Sequence, residues 1–221
     1  MKKKPSAQLS LLDADPWSDR GAVISFDQKH RYHLWRRTPD AHNRCLFVML
    51  NPSTADAYQD DPTIGRCVDY ARRWGHDGLD VVNVFAWRET DPDQLPHVDD
   101  PIGERNQDYL MRLAHECMLV VCAWGDGPSV GKRSKVGERW HALFAASTAH
   151  VLGLFAGRAM CFGTTKSGNP KHPLYLPKVA ALVPAPNPTG EVLVPVLGPD
   201  GGPSVAFKAY ATAVLRNGGK P

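Results

Sequence analysis

The 221-residue chain contains no run of about eighteen apolar residues, so no membrane-spanning helix is expected. Its start, Met1-Lys2-Lys3-Lys4-Pro5, is basic. Leu9–Leu12 is too short for the apolar core of an export signal, and Asp13 and Asp15 follow at once. A cytoplasmic location is therefore expected, with residues 1–20 as a flexible tail. The CxxC motif is absent, which argues against a zinc ribbon or an iron–sulfur cluster. The five cysteines (Cys45, Cys67, Cys117, Cys122 and Cys161) are odd in number and lie in mostly apolar runs. They read as buried small hydrophobes in a reducing compartment, not as a disulfide framework. GxGxxG, GxxxxGK[ST], HExxH and GxSxG are also missing, which argues against dinucleotide, P-loop, zinc-protease and hydrolase-elbow chemistries. No metal or organic cofactor is expected.

Charge is present but unevenly placed. The formal net charge is only +3. Residues 51–126 hold fifteen Asp and Glu against six Arg, whereas residues 127–178 hold eight Lys and Arg against Glu138 alone. A basic stretch of that kind suits a polyanion, or is simply an asymmetric solvated surface.

Apolar periodicity gives the organisation. Ala22–Phe26 and Tyr32–Arg36 alternate around Gln28-Lys29-His30, the pattern of a hairpin. Cys45–Leu50, Val81–Ala86, Met118–Trp124 and a short piece within Met160–Gly163 are apolar runs suited to buried strands. Helical spacing falls between them, over Thr63–Trp74, Glu104–Glu116 and Val136–Ala149. Further runs at Ala180–Pro184 and Val192–Leu197, and a helix over Val205–Arg216, are predicted to complete the chain. Alternating strands and helices imply βαβ units. The expected fold is α/β: a three-layer αβα sandwich with a mostly parallel four-stranded central sheet and an N-terminal hairpin, in one domain over residues 21–216. In such sheets ligands bind outside the carboxyl ends of the strands. Loops Asn51–Asp61, Trp87–Asp91, Trp124–Gly127 and Thr164–Pro177 should therefore meet at one cleft.

Three loops carry candidate chemistry. In Leu50-Asn51-Pro52-Ser53-Thr54-Ala55-Asp56, the proline turns the chain sharply out of the sheet and leaves Asn51 at the strand tip. The Asn51 amide can orient a water or a sugar oxygen. Ser53 offers a hydroxyl and Asp56 a carboxylate; the plainer reading is an Asx or ST turn followed by an Asp-Pro helix start. In Val82-Asn83-Val84-Phe85-Ala86-Trp87, Asn83 sits in an apolar strand, where an amide needs a partner. It either reads the edge of a base or bonds a neighbouring loop. Phe85 and Trp87 either stack on a base or join the core. The third loop, Lys166-Ser167-Gly168-Asn169-Pro170-Lys171-His172-Pro173-Leu174-Tyr175, is pre-ordered by prolines. There His172 can donate a proton or stabilise an anion. Leu174 or Tyr175 can wedge into a base stack, and Lys166 and Lys171 can hold phosphates. Trp124-Gly125-Asp126-Gly127 either lets a ligand approach the backbone closely or, as the plainer reading, is a turn that closes a strand.

Residues Leu50–Asp56 (LNPSTAD), Asp61–Cys67 (DPTIGRC), Val82–Asp91 (VNVFAWRETD), Ala123–Gly125 (AWG) and His172–Leu176 (HPLYL) resemble a bacterial and phage family of unknown function, DUF1643, over roughly residues 30–185. A more distant likeness is to the uracil-DNA glycosylase superfamily. Its Asn-type branches carry Asn-Pro-Gly after a strand, which Asn51-Pro52-Ser53 resembles with Ser for Gly. An Asn on the next core strand corresponds to Asn83, and a His-Pro-Ser motif to His172-Pro173-Leu174 with Leu for Ser. The resemblance implies a uracil-DNA glycosylase-like fold and a monomeric, cofactor-free enzyme. It would cleave the N-glycosidic bond of a base flipped out of DNA and leave an abasic site. Asn51, Asp56 and His172 would be catalytic, and Asn83, Phe85, Trp87 and Ser53 would bind the base. Leu174, Tyr175, Lys171 and Lys166 would engage the strand. The departures at Ser53 and Leu174 allow a modified base, such as a hydroxymethylated or glucosylated pyrimidine, with a role in repair or in defence against phage. Two other classes fit the same residues: an enzyme of free nucleotides, and a non-catalytic nucleic-acid-binding module.

Overall fold

The computed structural model describes residues 15–131 and 133–186. Asp19–Ile24 (β1) and Arg31–Arg37 (β2) form the expected antiparallel hairpin. Its turn passes through Gln28 in the left-handed region, at φ 64°. Arg44–Met49 (β3), Gly78–Asn83 (β4), Leu119–Cys122 (β5) and Ala159–Cys161 (β6) are mutually parallel, and Val183–Pro184 (β7) pairs antiparallel with β6. Among the described residues the sheet therefore has seven strands, in the order β1-β2-β4-β3-β5-β6-β7, and not four. The four expected parallel strands are its centre. The hairpin, expected as an addition, is part of the sheet: β2 lies antiparallel on β4, with Leu34 opposite Val81 and Arg37 opposite Gly78. Backbone donors of an open β4 edge would otherwise lack partners, so extending the sheet satisfies both elements.

Among the described residues three α-helices cover the sheet: Pro62–Arg73 (α1), Asn106–Glu116 (α2) and Lys135–Leu154 (α3). Asp61 caps α1 by accepting from the Ile64 N–H at 2.8 Å, and Pro62 sits in the first turn, where its missing donor costs nothing. Ser134 caps α3 through the Gly137 N–H at 3.0 Å. α2 and α3 bury Leu110, Leu113, Trp140 and Leu143 against Leu46, Val48, Val82 and Val120. α1 buries Ile64, Cys67, Tyr70 and Ala71 against Phe47, Met49, Leu79 and Val121 on the other face. Each such side chain removed from water contributes about 1.5–3 kcal/mol, which is what holds the three layers together. All five cysteines are buried and free, as expected from their apolar surroundings. Among the described residues no helix is long and apolar enough to cross a membrane.

Several boundaries differ from expectation. β4 begins and ends three residues early, because Asp80 lies inside it. A carboxylate breaks the apolar run in sequence, yet here it is buried and held by His33 and Arg44 at 2.7 Å each. Asn83 is therefore the last residue of β4, and Phe85 and Trp87 lie beyond it. α3 runs five residues further than predicted, and the loop after β4 contains an unpredicted 3-10 turn, Pro92–His97. The tail boundary at residue 20 also moves: Trp17 is buried and Asp19 opens β1. The run Val192–Leu197 and the helix Val205–Arg216 lie outside the described residues.

Candidate functional site

Parallel strands end together, and the carboxyl ends of β3, β4 and β5 open onto a cavity of about 570 Å³. Asn51, Ser53, Asn83, His172, Leu174 and Tyr175, six of the expected site residues, line it. They come from three segments far apart in the chain.

Asn51 is fixed by its amide nitrogen, which donates to the carbonyl of Glu89 at 2.7 Å and to that of Pro52 at 3.1 Å. The Glu89 N–H donates back to Pro52 O at 2.9 Å, so the loops after β3 and β4 are locked together. With both amide hydrogens engaged, Oδ1 is the polar atom that Asn51 has left to offer, an acceptor. The Ser53 hydroxyl donates to Thr90 Oγ1 at 3.4 Å across the same seam.

Asn83 is 1% exposed, and its Oδ1 has no hydrogen-bond partner. The backbone around it is satisfied, since Asn106 Nδ2 donates to the carbonyls of Asn83 at 2.8 Å and Val84 at 3.1 Å. Its side chain therefore does not serve the loop. Two further buried groups in the cavity wall lack partners: Trp124 Nε1 and Arg31 Nε. An unpaired buried polar group costs about 1–3 kcal/mol. Three such atoms around one cavity give it a set of donors and an acceptor without partners inside the chain.

His172 opens a short 3-10 turn, Pro173–Tyr175, and its Nδ1 accepts from the Leu174 N–H at 3.4 Å. That bond assigns the proton of the neutral ring to Nε2. Burial pushes the imidazole pKa below its ordinary value, and the charge of Asp61 only partly opposes this. At neutral pH the ring is thus an uncharged donor. Its loop is braced from β5. Gly125 has φ 74° and its N–H donates to Pro170 O at 2.8 Å; a Cβ at this glycine would come to 3.6 Å from His172 Cβ. Asp126 accepts from Thr165 Oγ1 at 2.5 Å and Asn169 Nδ2 at 3.0 Å. Leu174 is half-buried in the wall, while Tyr175 is 87% exposed, its ring 6.3 Å from that of His172.

Five expected site residues fall elsewhere. The Asp56 carboxylate accepts the N–H groups of Tyr58 and Gln59 at 2.8 and 2.9 Å, which lowers its pKa and makes it the anchor of an Asx turn. Phe85 is fully buried against Trp140, ring centroids 4.8 Å apart, on the α3 side of the sheet. It is core. Trp87 packs edge-on to His30 at 5.3 Å, outside the cavity wall. Lys166 and Lys171 are exposed and also outside it.

The sequence reading also missed residues. Thr63 lines the cavity as well as starting α1, next to Asp61, a carboxylate the sequence did offer, and Glu89 and Thr90 enter from the loop expected to join the cleft. Trp124, Gly125, Asp126 and Gly127 form more than a closing turn, since all four face the cavity. Arg31 gave no signal at all. An arginine between His30 and Tyr32 at a strand start reads as solvent-facing, yet it is 2% exposed.

Fold and site together define an α/β protein with a strand-end cavity lined by unpaired polar groups. The chain belongs to the DUF1643 family, described as a protein of unknown function, whose match spans residues 31–174. That span runs from Arg31 to Leu174 and so takes in every segment of the cavity wall except Tyr175. No curated protein and no solved structure matches the chain.

Proposed function

We propose that this chain is a DNA N-glycosylase that takes a flipped-out, modified base into the strand-end cavity and releases it by hydrolysis. The observation that carries this reading is that Asn51, Asn83 and His172, picked out from separate segments of sequence, line one cavity.

A base inside a duplex is out of reach, so the nucleotide must leave the stack. Exposed Tyr175, with Leu174 behind it, is suited to fill the gap, and Lys166 and Lys171 are free to meet phosphates. Asn83 Oδ1 accepts from a base N–H. Asn51 Oδ1 accepts a hydrogen of the attacking water and aims its oxygen at C1′. The new bond is C1′–O and the broken one C1′–N, whose electron pair leaves with the base. The sugar passes through an oxocarbenium-like state, as in glycoside hydrolysis. The His172 Nε2–H stabilises the charge that gathers on the departing base. The water gives up one proton to solvent as C1′–OH forms, a proton from solvent neutralises the base, and an abasic site remains. Asp56 has no part, because its carboxylate is committed to a turn.

The cavity volume supports a base larger than plain uracil, since about 300–1,000 Å³ is the range of sites for drug-sized ligands. Asp61, Glu89 and Asp126 in the wall suit the hydroxyls of a hydroxymethylated or glucosylated pyrimidine. Excision of such bases would serve repair or defence against phage with modified DNA. The same carboxylates favour one rival, an enzyme of free nucleosides or nucleotides, because they repel a DNA backbone.

The test is a panel of duplexes and single strands carrying uracil, hypoxanthine, hydroxymethylated or glucosylated bases, followed by alkali. Strand breaks at one modified position are expected. Turnover of monomers alone would support the rival. Salt-dependent binding without breaks would leave a non-catalytic module.

A further inference from the structure

Arg31 is the first residue of β2, 2% exposed, and part of the cavity wall. Its Nη1 donates to the carbonyl of Ala55 at 2.7 Å. Its Nε is buried without a partner, and among the described residues no carboxylate forms an ion pair with it. The acids that act on it electrostatically are Asp61 and Asp56, opposed by Arg88 and Arg36. Each already accepts backbone donors through Oδ1, Asp61 from Ile64 and Asp56 from Tyr58 and Gln59, and neither forms an ion pair with Arg31. Burial pulls Arg31 down to about 10, so it is still charged at neutral pH. Arg66 and Arg88 also carry a buried nitrogen without a partner, but they are less deeply buried and lie outside the cavity wall, whereas the equally buried Arg36 and the half-buried Arg44 each have a carboxylate. Arg36 meets Asp60 at 2.7 Å, and Arg44 meets Asp80 at 2.7 Å. A buried guanidinium without a carboxylate is unfavourable unless something supplies the missing charge.

We propose that the missing charge comes from the ligand: Arg31 is the anion receptor of the cavity and binds the anionic edge of a planar base. The proposal rests on the cavity being a nucleobase site. A guanidinium presents a planar fork of N–H donors, which matches an O–C–N edge carrying negative charge. Neutral His172 offers one donor and no net charge. Arg31 adds a formal positive charge in a part of the molecule that excludes water, where attraction is strongest. In hydrolysis the anion would be the departing base, so Arg31 would hold the product as well as ease its formation.

Calorimetry with free ligands tests this without any turnover. The probes are uracil, which is neutral, and barbiturate, the anion of a closely related ring. The wild-type chain is expected to bind barbiturate about tenfold or more tightly than uracil, the gain of one charge-assisted contact. Arg31→Gln should bring the two affinities within about twofold, and an unchanged circular dichroism spectrum and cooperative melting transition show that the variant is folded. Arg31→Lys should keep part of the preference, since charge remains and the fork is lost. Equal wild-type affinities, a preference that survives in Arg31→Gln, or no binding of barbiturate would each overturn the proposal. Tighter binding of inorganic phosphate through Arg31 would overturn it too. Failure of the glycosylase reading looks different: Arg31-dependent barbiturate binding with no base released from any DNA.

Discussion

The two ends of β4 bury polar groups in opposite ways. Near its start, Asp80 is fully buried, with Oδ1 on His33 Nε2 and Oδ2 on Arg44 Nη1, and with the Cys117 thiol 3.6 Å away. Three residues later, Asn83 is almost as deeply buried and its Oδ1 meets nothing. Same strand, same depth, different treatment. The paired end is structure, since a buried charge with its partners present fixes the strand in register. The unpaired end faces a cavity, and its unfavourable desolvation is what the proposed base site would account for.

The largest effect should come from breaking the paired end. Asp80→Ala leaves His33 and Arg44 facing an empty position and should lower unfolding free energy by about 3–5 kcal/mol in urea titrations. Activity per folded molecule should be little changed. Next comes His172→Ala at the unpaired end, with the opposite signature. Base release should slow by about 10²–10³-fold, or ~2.7–4 kcal/mol in the barrier, while the melting temperature stays close to wild type. Loss of stability without loss of rate there would erase the contrast.

A smaller effect separates buried histidines from both ends. Burial lowers His150 from 6.5 to about 4, and Gln107 Nε2 lies on its Nε2, which a neutral ring can accept. The unfolded chain then binds the extra proton between those two values. His150 therefore contributes its full stability above pH 6.5, and that contribution is lost as the pH falls toward 4. Burial lowers His33 as well, which steepens the same slope. Asp80, whose pKa is depressed below 3.8, loses its contribution only below that value. Chemical unfolding between pH 7 and 4 should show stability falling with acid, by at most about 3 kcal/mol from His150. His150→Gln should flatten part of the slope.

The contrast along β4 also explains what could be read from sequence. The apolar runs at Cys45–Leu50 and Met118–Trp124 announced buried strands, and the helices between them were legible from spacing. Asp80 hid the start of β4, because burial of a carboxylate depends on His33 and Arg44, which are distant in sequence. That three-residue error carried Phe85 and Trp87 into the expected site, although both lie past the strand end. Asn83 stood out as an amide in an apolar strand, Asn51 as a strand tip set by proline and His172 as part of a proline-ordered loop, and all three line one cavity. Arg31 was not, because charge at a strand start is ordinary and only tertiary packing turns it inward. Asp56 misled for the reverse reason: nothing local distinguishes a carboxylate that caps a turn from one that awaits a substrate.

The smallest expected change is the most direct test. Asn83→Leu replaces an unpaired amide with an apolar side chain of similar size. If Asn83 is kept for a ligand, the melting temperature of the variant should equal or exceed that of wild type while base release is lost. A fall of several degrees would mean that the amide serves the fold, and the division between the two ends of β4 would not stand.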